Sequence, residues 1–355
     1  MDLTFFDHLS IANVERIHSE IIRWIFELDD KIISNNIKAK IIKNMFEISN
    51  NIKLENFESY SEYKNIDILI KTDNAIFVIE NKLKSSEHTG QTNKYYDIIN
   101  KEFDISNKEI YYGFLSLIGE KPLNDNWKII TFEDLKNTLS KLDLNYSIKD
   151  HLFISEYIIT LNNLITAFNE FINNPQNYEN VFIDGSKKKY EKKAIYDDPI
   201  KKYIGENQLE TIFQKAFLRD MANKVSEGDF KIEETHGNAL IQWQLDQIEF
   251  KRKKFNIGLQ LQRNTIKVNL SRADYYKSKA KEIDEVLQNA FTKIFLNIND
   301  YKKLNLPKTK AYISVSKNLK QKIWKFKKDI LIKLLNSEIK KTKIRIHELN
   351  TELNI

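Results

Sequence analysis

Between Asn65 and Lys82 the chain carries two short apolar runs, Ile66–Ile70 and Ala75–Ile79, separated by Lys71-Thr72-Asp73-Asn74. Runs of this kind around an Asp-Asn turn read as a β-hairpin. A turn centred on Asp73-Asn74 sets position 67 directly opposite position 80, and opposed residues hold their Cβ atoms about 4.5–5.5 Å apart. Side chains on a strand alternate, so Lys82 shares a face with Glu80. The remaining residues are aliphatic on both faces, as in a central strand, where unpaired charge is expensive. The bland alternative is a solvated hairpin end carrying a surface ion pair. Two opposed carboxylates repel unless a cation lies between them. Mg²⁺ (or Mn²⁺) suits such a pair, because it takes oxygen ligands and is often held by one or two carboxylates. A metal there polarises a phosphoryl oxygen and activates a bound water, and Lys82 can orient that water or offset charge developing on phosphate. The chemistry this points to is metal-assisted phosphodiester hydrolysis, with Asp67, Glu80 and Lys82 as its catalytic set.

The surroundings place the hairpin in an α/β core. Helical spacing of Ile17, Ile21, Trp24, Ile25 and Leu28 predicts a helix over 11–28, and a second covers 37–50. After the hairpin come a helix at 91–101, strands at 110–117 and 127–131, and a helix at 132–142. This order gives a mixed sheet flanked by helices. A long helix follows at 151–172, and then the polar stretch from Asn173-Asn174-Pro175 to Asp198-Pro199, which contains Lys187-Lys188-Lys189. Three parts are expected: a domain at 1–172, a linker at 173–199 and an α+β domain at 200–355. In the last, helices are expected near 200–225, 276–297 and 318–338, with strands over 238–270, at Ala311–Val315 and at Lys343–Glu348.

The hairpin residues resemble the signature of the PD-(D/E)XK nuclease superfamily, in which an aspartate on one strand precedes Glu-x-Lys on the next. Ile66-Asp67 stands where that family often has Pro-Asp, and Glu80-Asn81-Lys82 matches Glu-x-Lys. Gln91-Thr-Asn-Lys-Tyr95 resembles the Gln-x-x-x-Tyr motif of RecB-like members, with both side chains on one helix face. Asn13-Val-Glu15-Arg-Ile-His18-Ser19 resembles the first-helix motif of a bacterial branch. The resemblance covers roughly residues 10–135. It implies a restriction-endonuclease-like fold, a Mg²⁺-dependent nuclease and a nucleic-acid substrate, DNA in preference to RNA. It also implies metal ligation by Asp67, Glu80 and the Asn81 backbone carbonyl, support from Glu15, and substrate orientation by Gln91 and Tyr95. Restriction, repair or antiphage defence is the setting that analogy suggests.

Charge divides the chain. Residues 1–175 hold 19 Lys/Arg against 27 Asp/Glu, a balance of −8, while residues 176–355 hold 37 against 23, a balance of +14. The basic half is therefore expected to bind a polyanion or a partner, although a lysine-rich composition throughout accounts for part of the excess. Its densest cluster, Lys251-Arg252-Lys253-Lys254, reads as phosphate-binding or as a solvated, aggregation-resistant face. A homodimer or a protein partner held through this domain is a further expectation. Cysteine is absent, which excludes thiolate metal sites and cysteine nucleophiles. Neither a Walker-type loop nor a Gly-x-Ser-x-Gly elbow occurs. Glu15-x-x-His18 lacks the second pair that a di-iron site needs, and His88 reads as a loop residue near substrate or solvent. No signal peptide and no membrane-length apolar run are visible, so a cytoplasmic location is expected. The competing functional reading is a noncatalytic nucleic-acid-binding or scaffolding module, or a nuclease subunit active only with a partner.

Overall fold

A computed structural model describes residues 1–49, 51–83, 87, 90–103, 108–182, 198–225, 229–235, 237–273, 283–296, 301–306 and 312–353. The chain divides into two compact units, Met1–Asn173 with Lys192–Ile212, and Asn174–Glu191 with Phe213–Ile355.

The first unit opens with a short helix, α1 (Phe5–His8), capped by Thr4, whose side chain and Asp7 bond each other's backbone N–H groups. Helices α2 (Glu15–Glu27) and α3 (Asn35–Phe46) follow. A five-stranded sheet is then laid down in sequence order. It contains β1 (Glu58–Tyr63), β2 (Ile66–Lys71), β3 (Ala75–Lys82), β4 (Glu109–Ser116) and β5 (Trp127–Thr131). The first three strands are antiparallel and the last three parallel, so the sheet is mixed. Helix α4 (Gln91–Glu102) makes the crossover from β3 to β4. Thr131 caps α5 (Phe132–Leu139) with Asp134 in a reciprocal box, and α6 (Lys149–Asn173) and α7 (Pro199–Glu206) complete the unit.

All eight residues of β3 are buried, as expected for a strand with helices on both faces. One face of the sheet gives Leu69, Ile76, Val78, Tyr112 and Phe114 to a cluster with Tyr95 and Ile99 of α4. The other face meets α2 and α3, where Phe46 packs against Phe77. Gly113 makes that packing possible. A Cβ there would lie 2.7 Å from Ile130 Cδ1 and 2.8 Å from Phe46 Cζ.

The second unit is built on a six-stranded antiparallel sheet. Helix α8 (Glu210–Ala222) leads into β6 (Phe230–Thr235), β7 (Asn238–Phe250), β8 (Lys253–Gln262) and β9 (Thr265–Arg272). Then come α9 (Glu285–Phe295), β10 (Lys303–Asn305), β11 (Tyr312–Asn318) and α10 (Lys328–Leu353). The strand order is β10-β11-β9-β8-β7-β6. Trp243, Phe255, Ile257, Leu259, Val268, Leu270, Ile313 and Val315 form its buried apolar side. Helices α9 and α10 pack together and contact β7, β8 and β11.

Several expectations change here. Lys343–Glu348 is not a strand but part of α10. The alternation Lys343-Ile344-Arg345-Ile346 imitates a strand over four residues, whereas Leu331, Leu335, Ile339, Thr342, Ile346 and Leu349 are buried at helical intervals over the whole element. The helix expected from 318 begins only at Lys328, because Asn318 ends β11 and Ile323–Lys325 forms a 3-10 turn. The stretch 200–225 breaks into two helices. Strands β1, β6 and β10 and helix α1 are additions to the sequence reading. Within the segment read as a linker, Pro175–Asn177 and Glu179–Phe182 are 3-10 turns, and Phe182 stacks on Trp324 with ring centroids 4.3 Å apart. His88 and Lys187-Lys188-Lys189 lie outside the described residues.

Candidate active site

The β2–β3 ladder pairs Ile68 with Ile79 and Leu69 with Val78, the register that places Asp67 across from Glu80. The backbone N–H of Asn81 donates to Asp67 Oδ2 over 2.7 Å, fixing that carboxylate at the open end of the hairpin. Strand alternation then sorts the last three residues of β3. Glu80 and Lys82 point towards α4. Asn81 points the opposite way, and its side-chain amide donates to the Glu15 carbonyl at 2.8 Å and to Ser19 Oγ at 3.1 Å.

Glu80 is 0% exposed and Lys82 7%. Lys82 Nζ lies 2.7 Å from Glu80 Oε1, and Gln91 Nε2 donates to the same oxygen at 2.6 Å. Gln91 Nε2 also donates to the Tyr95 hydroxyl at 2.9 Å, and that hydroxyl donates to the Asn65 carbonyl at 2.5 Å. Gln91 and Tyr95 stand one turn apart on α4, so a single helix face meets both the carboxylate and the β1–β2 turn. Glu80 Oε2, by contrast, is buried and has no hydrogen-bond partner among the described residues. One carboxylate oxygen is doubly engaged and the other is left open.

The electrostatics follow from this burial. Desolvation, with the charge of Asp67 added to it, pushes Glu80 up to about 8 against the pull of Lys82. Burial likewise raises Asp67, against the Asn81 N–H and Lys82. Burial opposes the Lys82 ammonium, but Glu80, Asp67 and Glu15 outweigh it and hold its pKa above the ordinary lysine value. Among the described residues, two carboxylates that resist ionisation beside one ammonium form a site short of positive charge.

A family model for the PD-(D/E)XK nuclease superfamily matches residues 3–206. The chain belongs to this superfamily. No curated protein and no solved structure matches it. The match covers the mixed sheet and its helices, and so includes Asp67, Glu80 and Lys82, which the sheet brings together.

The donor set can be tested against the divalent metal that PD-(D/E)XK nucleases typically use. Two hard carboxylates with raised proton affinity, one of them presenting an unpartnered oxygen, suit Mg²⁺ or Mn²⁺. Among the described residues no three His, Asp or Glu side chains converge closely enough to hold a metal ion. Glu15 is the first residue of α2, and its backbone carbonyl is its hydrogen-bonded link to β3 through Asn81. Its carboxylate acts on Asp67, Glu80 and Lys82 through its charge.

His18 is not a ligand. Its Nε2 donates to the Ala12 carbonyl at 2.9 Å, its Nδ1 accepts from the Tyr157 hydroxyl at 3.0 Å, and burial lowers its pKa to about 4. Sequence reasoning missed Ser19 and Asn65, which hold Asn81 and Tyr95. Both partnerships are long-range and leave no local signal. Lys251 and Arg252 form the tip of the β7–β8 hairpin in the second unit, both at positive φ (49° and 62°). Lys253 and Lys254 open β8. All four are exposed, and Lys251 is paired with Asp284 at 2.7 Å.

Proposed function

We propose that this chain is a metal-dependent nuclease that hydrolyses phosphodiester bonds in DNA. The observation that carries the reading is the asymmetry of Glu80, with Oε1 held by Lys82 and Gln91 and Oε2 buried opposite Asp67 without a partner among the described residues. Asp67 and Glu80 would hold Mg²⁺ or Mn²⁺, with the Asn81 backbone carbonyl beside them and Glu15 adding negative charge. The ion would polarise a phosphoryl oxygen and lower the pKa of a bound water. Lys82 keeps its proton beside Glu80 and offsets charge developing on the phosphate. Gln91 fixes the Glu80 rotamer through Oε1, and Tyr95 anchors the β1–β2 turn against α4, so the carboxylates are set before substrate arrives. The basic second unit supplies affinity for the polyanion. Restriction, repair or antiphage defence is the cellular setting that fits such an enzyme.

The test is cleavage of plasmid, linear duplex, single-stranded DNA and RNA with Mg²⁺, Mn²⁺ or EDTA, comparing wild type with Asp67→Asn, Glu80→Gln and Lys82→Ala. Metal-dependent cutting of DNA that each substitution lowers by about a hundredfold or more supports the proposal. Absence of cutting on every substrate, with folded protein and intact binding, would move the assignment to a binding module or a partner-dependent subunit.

A further inference from the structure

We propose that the polar face of the six-stranded sheet in the second unit is a docking surface for duplex DNA. The choice of DNA as the polyanion rests on the nuclease reading; the surface itself does not.

Strand registers define the face. Gln242 pairs with Gln260, Gln260 with Lys267, Lys267 with Ser316 and Ser316 with Lys303, while Lys231 lies beside Gln242. One row therefore crosses all six strands as Lys231, Gln242, Gln260, Lys267, Ser316 and Lys303. The adjacent row reads Gln244, Gly258, Asn269, Ser314 and Asn305. Neither row contains a carboxylate; on this side Glu233 lies within the edge strand β6, two residues from Lys231, and Glu249 near the end of β7. At about 4.8 Å per strand the first row spans roughly 24 Å, and duplex DNA presents a phosphate charge about every 1.7 Å of its axis.

The second row is buried at its centre. Gly258 has no side chain, and a Cβ there would lie 2.7 Å from the Trp243 carbonyl oxygen. Asn269 and Ser314 are each 1% exposed. Both polar atoms of the Asn269 amide and the Ser314 hydroxyl lack hydrogen-bond partners among the described residues. Unsatisfied buried amides and hydroxyls are rare, and here they lie at the centre of the polar face, beside the row that carries Gln242, Gln260 and Lys267. Lys267 is destabilised as a cation by half-burial and by Lys303 two strands away, a repulsion that phosphate would relieve.

The chemistry selects the occupant. A protein partner needs an apolar centre, and these rows have none. Single strands call for stacking aromatics, and neither row holds one. Amide side chains read base edges in DNA grooves, whereas the duplex RNA major groove is too narrow for side chains to read.

Binding of the full chain to short duplex DNA, duplex RNA and single-stranded DNA can be followed by fluorescence anisotropy in EDTA between 50 and 200 mM salt. Lys267→Gln/Lys303→Gln is expected to weaken duplex DNA binding roughly eightfold per lysine at 0.1 M salt and to reduce the log–log salt slope by about two. Lys231→Gln/Lys303→Gln, on exposed edge positions, should do the same without risk to the fold, and the corresponding arginine pairs should retain binding. Unchanged affinity and slope in both glutamine pairs would overturn the proposal. So would loss confined to Lys253→Gln/Lys254→Gln, or preference for RNA or single strands. Mg²⁺-dependent cutting, measured separately, reports on the nuclease reading: binding that needs these lysines without cutting leaves the surface standing, and cutting with lysine-independent binding removes the surface alone.

Discussion

Glu80 and Lys82 lie two residues apart on one face of β3, with Oε1 and Nζ 2.7 Å from each other, while the second carboxylate oxygen of Glu80 meets no donor among the described residues. The ammonium thus neutralises half of a carboxylate and leaves the other half available.

Metal affinity should rise steeply with pH. Burial and Asp67 push Glu80 up to about 8, and only the ionised carboxylate accepts a divalent ion. Mn²⁺ affinity measured by calorimetry is expected to climb about tenfold per unit between pH 6 and 8 and to level off above. The unfolding midpoint carries the opposite sign without metal. A folded pKa above the unfolded value of 4.5 gives stability at low pH that is lost as pH rises towards 8. A flat metal titration across this range would contradict the assignment.

His18 predicts an independent acid limb. Its folded pKa of about 4 lies below the unfolded 6.5, so its contribution is present above pH 6.5 and lost as pH falls towards 4. The difference amounts to about 3 kcal/mol. It should appear in urea unfolding as the contrast between wild type and His18→Asn at pH 7, 6 and 5, a contrast that shrinks as the pH falls. A pH-independent contrast would show that His18 is not held neutral.

Removing one hydroxyl should loosen the site. In Tyr95→Phe the Asn65 carbonyl loses its donor and Gln91 one acceptor. We expect a stability loss of about 1–2 kcal/mol, together with slower DNA cleavage. The Gln91→Ala variant should slow cleavage with less effect on stability. Equal stability of Tyr95→Phe and wild type in urea would refute the anchoring role.

Gly113→Ala tests the packing behind the site. The added methyl meets Ile130 and Phe46 at under 3 Å, and overpacking of this kind costs about 1–3 kcal/mol. Thermal unfolding of the variant checks this; an unchanged midpoint would mean that α3 yields freely.

The juxtaposition of Asp67 and Glu80 was legible because it depends on counting. Turn position sets the hairpin register, and register decides that Asp67 opposes Glu80. The same alternation says that Asn81 turns away from them, yet nothing local reveals that it meets Glu15 and Ser19, more than sixty residues earlier. Strand β1 escaped notice because its Glu, Ser and Tyr residues form a half-exposed edge without an aliphatic run. In helix α10 the four residues Lys343–Ile346 obey two periodicities at once, and burial over the whole element decides between them.

Adjacent residues at the end of β3 reach into opposite helical layers, Asn81 to α2 and Glu80 with Lys82 to α4. A one-residue slip of this strand would exchange those directions, sending Asn81 to Gln91 and the carboxylate into the backbone of α2. In the proposed nuclease, hydrolytic competence would be conditional on correct assembly: a misregistered or half-formed chain carries Asp67, Glu80 and Lys82 without their arrangement. For an enzyme of that kind, the fold would be its own safety catch.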